Sequence, residues 1–219
     1  KTTLALILAG AMKPTAGEIW IEGERTEGKA IHGKVGYVFQ EPVNQMVTMK
    51  VKDELEFAPR QLGWDEDAIQ QATAREAERF GLDLDAVPLR LQPAEARKVC
   101  IAATLAMAPK VVFLDEPTNN LDSADVDQMM RHMKDLQAAG TTVVMISHDL
   151  EVVLRYADRL VVLQDGNVIA DGPTREVAAK TELLAGSDLI MPPVVACSLA
   201  LWPDSPPALT VDELADQFK

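Results

Sequence analysis

The chain has 219 residues, enough for one large α/β domain or for one domain with appendages. Hydrophobic residues make up 47% of it, so a substantial core can form, while a formal net charge of −13 argues against the broad basic footprint of a nucleic-acid binder. The acidity favours basic protein partners or plain solubility. Cys100 and Cys197 stand in apolar contexts with no paired spacing, which predicts reduced, buried thiols of a cytosolic protein. The longest uncharged stretch, residues 189–203, is broken by Pro192 and Pro193 and falls short of the ~20 apolar residues of a spanning helix. Work at a membrane would therefore go through a partner.

In chain order, Lys1-Thr2-Thr3 leads at once into an apolar helical run, residues 4–11. Pro14-Thr15-Ala16-Gly17 predicts a turn, and residues 18–22 (EIWIE) alternate like an exposed-edge strand. Residues 35–39 (VGYVF) read as a buried strand that Gln40 closes. A helical pattern covers residues 51–62, and a charge-rich helix is predicted over 65–80, stopped by Gly81. Residues 91–98 (LQPAEARK) open a further helix, where Pro93 is tolerated because the first helical N–H lacks an intrahelical partner anyway. Residues 111–114 (VVFL) are apolar without alternation, the mark of a strand buried on both faces of a parallel sheet. That strand ends in Asp115 and Glu116, followed by Pro117. Asp122 caps a long helix to Ala139, and Gly140 ends it. Residues 142–146 make another buried strand, followed by Ser147-His148-Asp149. Residues 160–164, Asp165-Gly166-Asn167 and residues 168–170 read as strand, turn and strand. After Pro173 proline becomes frequent, and Thr210-Val211-Asp212-Glu213 has capping-box spacing before a final helix.

A strand that delivers two acids to its carboxyl end places them where open α/β sheets bind ligands. Neighbouring carboxylates oppose each other's ionisation, and a cation or a phosphate-bound metal relieves that. Asp115 can then hold Mg²⁺, directly or through water, and Glu116 can orient or deprotonate an attacking water. A lone acidic pair is otherwise a solvated strand end, so the surrounding string decides. VVFLDEPTNNLD, residues 111–122, resembles the Walker B and D-loop segments of ABC-type ATPases. The resemblance implies Asp115 as the Walker B aspartate, Glu116 as the catalytic glutamate and Asn120-Leu121-Asp122 as the D-loop. Lys1-Thr2-Thr3 resembles the tail of a Walker A motif. Lys1 would then reach the β- and γ-phosphates, with the Thr2 hydroxyl on Mg²⁺ and Thr3 beside it in the ATP-binding segment. On that resemblance the sequence is expected to begin inside its phosphate-binding loop. Gln40 resembles the Q-loop glutamine, which contacts Mg²⁺ or the attacking water, and His148 the switch histidine, which donates to the γ-phosphate. QEPVNQM followed by TMKVKDELEFAP resembles the energy-coupling factor ATPases, with Phe57 and Pro59 in place and Ala58 where glycine is usual. The tail from LIMPPVV to LTVDEL resembles the C-terminal extension of energy-coupling factor and cobalt-type ATPases.

One segment departs from the family. Where ABC ATPases carry LSGGQ, which holds the γ-phosphate bound to the partner subunit, this chain has LQPAE. Gln92 stands for the serine, Pro93 and Ala94 for the glycines, and Glu95 for the glutamine. Pro93 removes a backbone donor, and Ala94 adds a Cβ where close approach is needed. The positive helix end remains, and Gln92 can donate from its amide.

The resemblance implies an α/β P-loop NTPase core of the ABC ATPase kind, with a parallel sheet, a partial antiparallel β-subdomain and an inserted helical subdomain. Residues 1–40 and 98–173 would form the nucleotide-binding core, 41–97 the helical subdomain and 174–219 a C-terminal extension. It implies MgATP hydrolysis, with ATP and Mg²⁺ as cofactors, powering uptake of a micronutrient, either a vitamin or a transition-metal ion. The expected partners are a second ABC ATPase subunit or domain, in a homo- or heterodimer, and a transmembrane coupling subunit. No nucleic acid is expected. The expected place is peripheral, on the cytoplasmic face of the cell membrane. Two other readings stay open: a degenerate or non-catalytic ABC partner subunit, which LQPAE favours and Glu116 and His148 oppose, and a non-transport ABC ATPase, which the acidic balance opposes.

Overall fold

The computed structural model describes residues 1–119, 121–181 and 190–219. The chain falls into two compact units, Lys1–Ile146 and Ser147–Lys219.

The first unit is organised by three parallel strands: β3 (Val35–Val38), β4 (Val111–Asp115) and β5 (Thr142–Ile146), in the order β3-β4-β5. The central position of β4 explains its unbroken apolar run, since Val112, Phe113 and Leu114 are all buried. On one face, Ala5 of α1 (Thr2–Leu8) joins Ile19, Ile21, Ile31, Val35 and Phe113 in a single cluster. Against β3 lies α4 (Pro93–Ala106), buried along most of its length. The approach is close: a Cβ on Gly36 would stand 2.4 Å from Cγ2 of Thr104, so glycine lets strand and helix meet.

The edge strand expected over residues 18–22 is cut to two residues, β1 (Trp20–Ile21), paired antiparallel with β2 (Glu24–Arg25). The turn takes the rest, because Glu22 and Gly23 both adopt positive φ (53° and 79°), the geometry of a two-residue hairpin loop. The alternation survives, with Ile21 buried and Trp20 60% exposed.

The helices between β3 and β4 follow their sequence signals closely. α2 (Val51–Gln61) and α3 (Glu66–Phe80) pack on each other and on α4. Asp65 caps α3 by accepting the Ala68 N–H at 2.9 Å, and Gly81 ends it with φ 64°. α5 (Ser123–Ala138) starts on Asp122, whose Oδ1 accepts the Asp125 N–H at 2.9 Å.

In the second unit, α6 (Leu150–Tyr156) precedes a hairpin of β6 (Arg159–Gln164) and β7 (Asn167–Pro173). Asp165 and Gly166, at φ 49° and 79°, form its turn. α7 (Thr174–Ala178) packs on the hairpin through Val177, with Val162 and Ala170. Ala178 meets Val195 of α8 (Pro193–Leu201), and α9 (Val211–Gln217) closes the chain on a Thr210 cap at 3.2 Å. Arg175 grips the Glu213 carboxylate with both terminal nitrogens, at 2.9 and 3.1 Å. Both cysteines are free; Cys100 is buried in α4, but Cys197 is exposed, against the expectation of two buried thiols. Apolar composition around Cys197 is a property of all of α8, and a short helix cannot bury every side at once. No helix among the described residues is long and apolar enough to cross a membrane.

Candidate functional site

Asp115 is the last residue of β4 and pairs across to Ile146 of β5, so the sheet fixes its backbone from the side. The residue is 5% exposed, and a buried carboxylate needs donors. Two reach it. Thr2 Oγ1, at the start of α1, donates to Oδ2 at 2.9 Å, and the Tyr37 hydroxyl, from β3, donates to the same Oδ2 at 2.7 Å. Burial first, then the hydrogen bond to Asp115 and its charge, push the Tyr37 phenol well above its ordinary range, so it stays a donor. Thr2 and Asp115 were expected to meet. Tyr37 was missed, although β3 and β4 run in register with Tyr37 opposite Phe113. Residues two apart on a strand share a face, so Tyr37, Phe113 and Asp115 lie on one side of the sheet.

The pair Thr2 and Asp115 suits a hard cation. Magnesium–oxygen distances of about 2.0–2.1 Å put neighbouring ligand oxygens of an octahedron about 2.9 Å apart. Thr2 Oγ1 and Asp115 Oδ2 already have that separation, 2.9 Å. A hydroxyl plus one carboxylate leaves the other positions to water and phosphate, the usual arrangement for this ion.

Glu116 is the first residue past the strand, half-buried, with its N–H on the Ile146 carbonyl at 2.8 Å. It holds φ at +46°, left-handed backbone that costs a non-glycine residue about 1–2 kcal/mol. Lys1 and Thr3 are exposed at the start of α1. His148 follows β5 by two residues, exposed, in the second unit, just before Asp149 caps α6 through the Glu151 N–H at 3.0 Å. Asn120 lies outside the described residues, and Asp122 carries the α5 cap.

Gln40 is exposed two residues past β3, which ends at Val38, one residue short of the strand expected over 35–39. Its carbonyl accepts from Arg97 Nη2 at 2.8 Å. The loop that follows is tied to the same helix: Gln45 Oε1 accepts the Phe39 N–H at 3.1 Å, and Gln45 Nε2 donates to Thr104 Oγ1 at 3.1 Å and to the Cys100 carbonyl at 3.3 Å. Arg97 is 4% exposed, and its Nη1 has no hydrogen-bond partner among the described residues. Burial is the main influence on both buried groups, pulling the Arg97 guanidinium down and pushing the Cys100 thiol up to about 12. The first turn of α4 holds the departing segment. Gln92 is the N-cap, Pro93 the first helical residue, and Glu95 accepts the Gln92 N–H at 3.4 Å. Gln92, Pro93 and Glu95 are exposed, and Ala94 is half-exposed. The helix therefore starts normally despite the changed residues, and Arg97 connects its first turns to Gln40. Gln45 lies in QEPVNQM and Arg97 in LQPAEARK, but their bonds across to Gln40, Cys100 and Thr104 join positions 55 to 59 apart, which the sequence does not reveal.

The model of the ABC transporter family matches residues 1–119. The energy-coupling factor transporter ATP-binding protein EcfA of Methanothermobacter thermautotrophicus is 37% identical over 88% of this chain and 64% of its own length. EcfA2 of Clostridium perfringens is 35% identical over 89% of this chain and 72% of its own. The solved structure of cbiO1 from Clostridium perfringens, described as part of the ABC transporter complex cbiONQ, superposes with a TM-score of 0.73 at 30% identity, covering 84% of this chain and 77% of that one. The chain thus spans a little under two thirds of the archaeal relative. The α/β fold read from the sequence, a parallel sheet with an antiparallel hairpin and packed helices, is that of these neighbours. With the family model over more than half its length and these relatives over most of it, the chain belongs to the ABC transporter family of ATPases, of the same kind as the energy-coupling factor ATP-binding proteins.

Proposed function

We propose that this chain binds and hydrolyses ATP as the motor subunit of an energy-coupling-factor-type importer for a micronutrient, a vitamin or a transition-metal ion. The observation that carries the reading is the contact of Thr2 with Asp115, a hydroxyl at a helix start and a buried carboxylate at a strand end, at cation-sharing distance. Bound Mg²⁺ would supply positive charge to the β- and γ-phosphate oxygens. Thr2 and Asp115 would hold it, with Gln40 reaching it or the attacking water. Lys1 would pair with the β- and γ-phosphates, and Thr3 would stand beside them. Glu116 would take the proton of the attacking water, and His148 would donate to the γ-phosphate. Residues 1–40 and 98–173 would act as the nucleotide-binding core, 41–97 as the helical subdomain and 174–219 as the extension.

A motor of this kind needs a second ABC subunit and a transmembrane coupling subunit, which would keep it peripheral on the cytoplasmic face. Val43, Val47 and Met49, just past Gln40, are 65, 67 and 73% exposed, which favours a partner surface there. The segment at Gln92, Pro93, Ala94 and Glu95 would face the partner's nucleotide, as would Asp122 in the D-loop. Because Pro93 offers no N–H, a heterodimer or tandem chain with unequal sites is favoured over two equal ones. The same segment supports a second reading, a degenerate subunit that binds ATP without turning it over. Single-turnover hydrolysis in the assembled complex, compared between wild type and Glu116→Gln, tests the first against the second. A wild-type burst that the variant lacks supports the motor; equal, negligible hydrolysis in both supports the degenerate subunit.

A further inference from the structure

Tyr37 belongs to none of the motifs that suggested the nucleotide site, yet it makes a 2.7 Å contact with the carboxylate at its centre. We propose that Tyr37 is a positioning residue for the metal of bound MgATP: its hydroxyl holds Oδ2 of Asp115 in the orientation in which that oxygen and Thr2 Oγ1 share the cation. The proposal rests on the ATP-site reading above and adds a residue to it.

The argument is one of donors and lone pairs. Oδ2 receives both Thr2 and Tyr37, whereas no described residue donates to Oδ1 of Asp115. Where Thr2 Oγ1 and Asp115 Oδ2 take adjacent positions on one cation, the Thr2 hydrogen points away from the metal and therefore off Oδ2, so sharing the cation weakens the Thr2 bond. Tyr37 is then the remaining described donor to Oδ2, on a residue that is 5% exposed. An ionised carboxylate oxygen accepts more than one partner, so Oδ2 can keep the phenol on one side and take the cation on the side that faces Thr2.

The phenol is also well fixed. Its backbone is held in β3 by the pairing of Tyr37 with Phe113, and its ring meets the edge of Phe39 with centroids 4.9 Å apart and planes at 68°. The hydroxyl is thus placed by sheet register and ring packing. Thr2, on the first turn of α1, is free to trade its partner while Tyr37 stays.

The test compares the intact protein with its Tyr37→Phe variant, which keeps the ring and removes one oxygen. ATP binding is followed by calorimetry without Mg²⁺ and across a Mg²⁺ titration. The expected result is an unchanged affinity for metal-free ATP and a rise of about tenfold or more in the Mg²⁺ concentration for half-maximal enhancement, the range for loss of a charge-assisted hydrogen bond. In an Asp115→Asn background the same substitution should leave the Mg²⁺ dependence unmoved, which a merely structural role would not produce. A Mg²⁺ dependence identical to wild type, an equal loss of metal-free affinity, or an undiminished effect of Tyr37→Phe in Asp115→Asn overturns the proposal. Wild-type protein that binds no ATP under either condition overturns instead the ATP-site reading on which it stands.

Discussion

The carboxyl end of β4 and the start of α4 belong to the same unit and carry opposite histories of geometry and chemistry. At β4 Asp115 is buried and accepts from Thr2 and Tyr37, while the backbone beside it is strained at Glu116, φ +46°. At α4 the backbone is relaxed, with Gln92 extended at the cap and Glu95 closing on its N–H, while the groups expected to meet a phosphate are altered. Good local geometry therefore says little about whether a helix start retains its ligand, because capping and donation draw on different atoms. Strain is a separate signal: at Glu116 it marks a left-handed residue directly beside Asp115.

The largest expected effect breaks the first region. Glu116→Gln in the intact protein should retain ATP binding and lower the rate of hydrolysis by about 10²- to 10⁴-fold, the span of general-base contributions. Undiminished steady-state turnover would remove Glu116 from the mechanism.

The next sharpens the second region. Restoring Ser, Gly and Gly at Gln92, Pro93 and Ala94 returns backbone donors to the exposed helix start. Each donor to a developing oxyanion is worth on the order of 3–4 kcal/mol, against less than ~2 kcal/mol from the helix dipole alone. Turnover at the partner's nucleotide should rise by about 10²-fold, with little change at the site of Asp115. Site-resolved single-turnover measurements in the assembled dimer check this. A homodimer of the unaltered chain that already hydrolyses ATP at both sites at the restored rate would show that Gln92 suffices.

A third variant asks how tightly the two regions are joined. Gly36→Ala forces a Cβ to within 2.4 Å of Thr104 Cγ2, between the strand that carries Tyr37 and the helix that carries Arg97. Overpacking there should cost about 1–3 kcal/mol of stability, read from urea unfolding. An unchanged midpoint would mean that α4 moves off the sheet freely, and that the Arg97 bond to Gln40 does not constrain it.

What could be read from the sequence follows the range of the interactions. β4 and the boundaries of α3 and α5 were legible because an apolar run, Asp65, Asp122 and Gly81 act within a few residues of themselves. Thr2 beside Asp115 was legible only through a motif whose spacing stands in for the fold. Tyr37 needed the neighbour order of β3 and β4, and the Arg97 bond to Gln40 joins residues 57 positions apart. The short hairpin at Trp20 was lost because Glu22 takes a conformation that glutamate rarely adopts, and no local signal announces it. The same holds for Glu116, a glutamate at positive φ directly before a proline.

On stability rather than turnover, that last residue gives the smallest effect and the cleanest contrast between the two regions. Glycine has no Cβ penalty in left-handed backbone, so Glu116→Gly should relieve about 1–2 kcal/mol of strain. A looser unfolded chain offsets about 0.5–1 kcal/mol of that, so stability should rise by up to about 1 kcal/mol, while hydrolysis falls as it does in Glu116→Gln. At Pro93 the signs reverse. The ring suits the first helical position, and replacing it by glycine loosens the unfolded chain, so Pro93→Gly should lower stability by about 0.4–1 kcal/mol while returning an N–H to the helix start. Thermal or urea unfolding of the two variants, beside their nucleotide turnover, reads both signs in one experiment. Loss of stability in Glu116→Gly would mean that contacts of the side chain outweigh the backbone strain, and the case for a conformation held for chemistry at the end of β4 would fall.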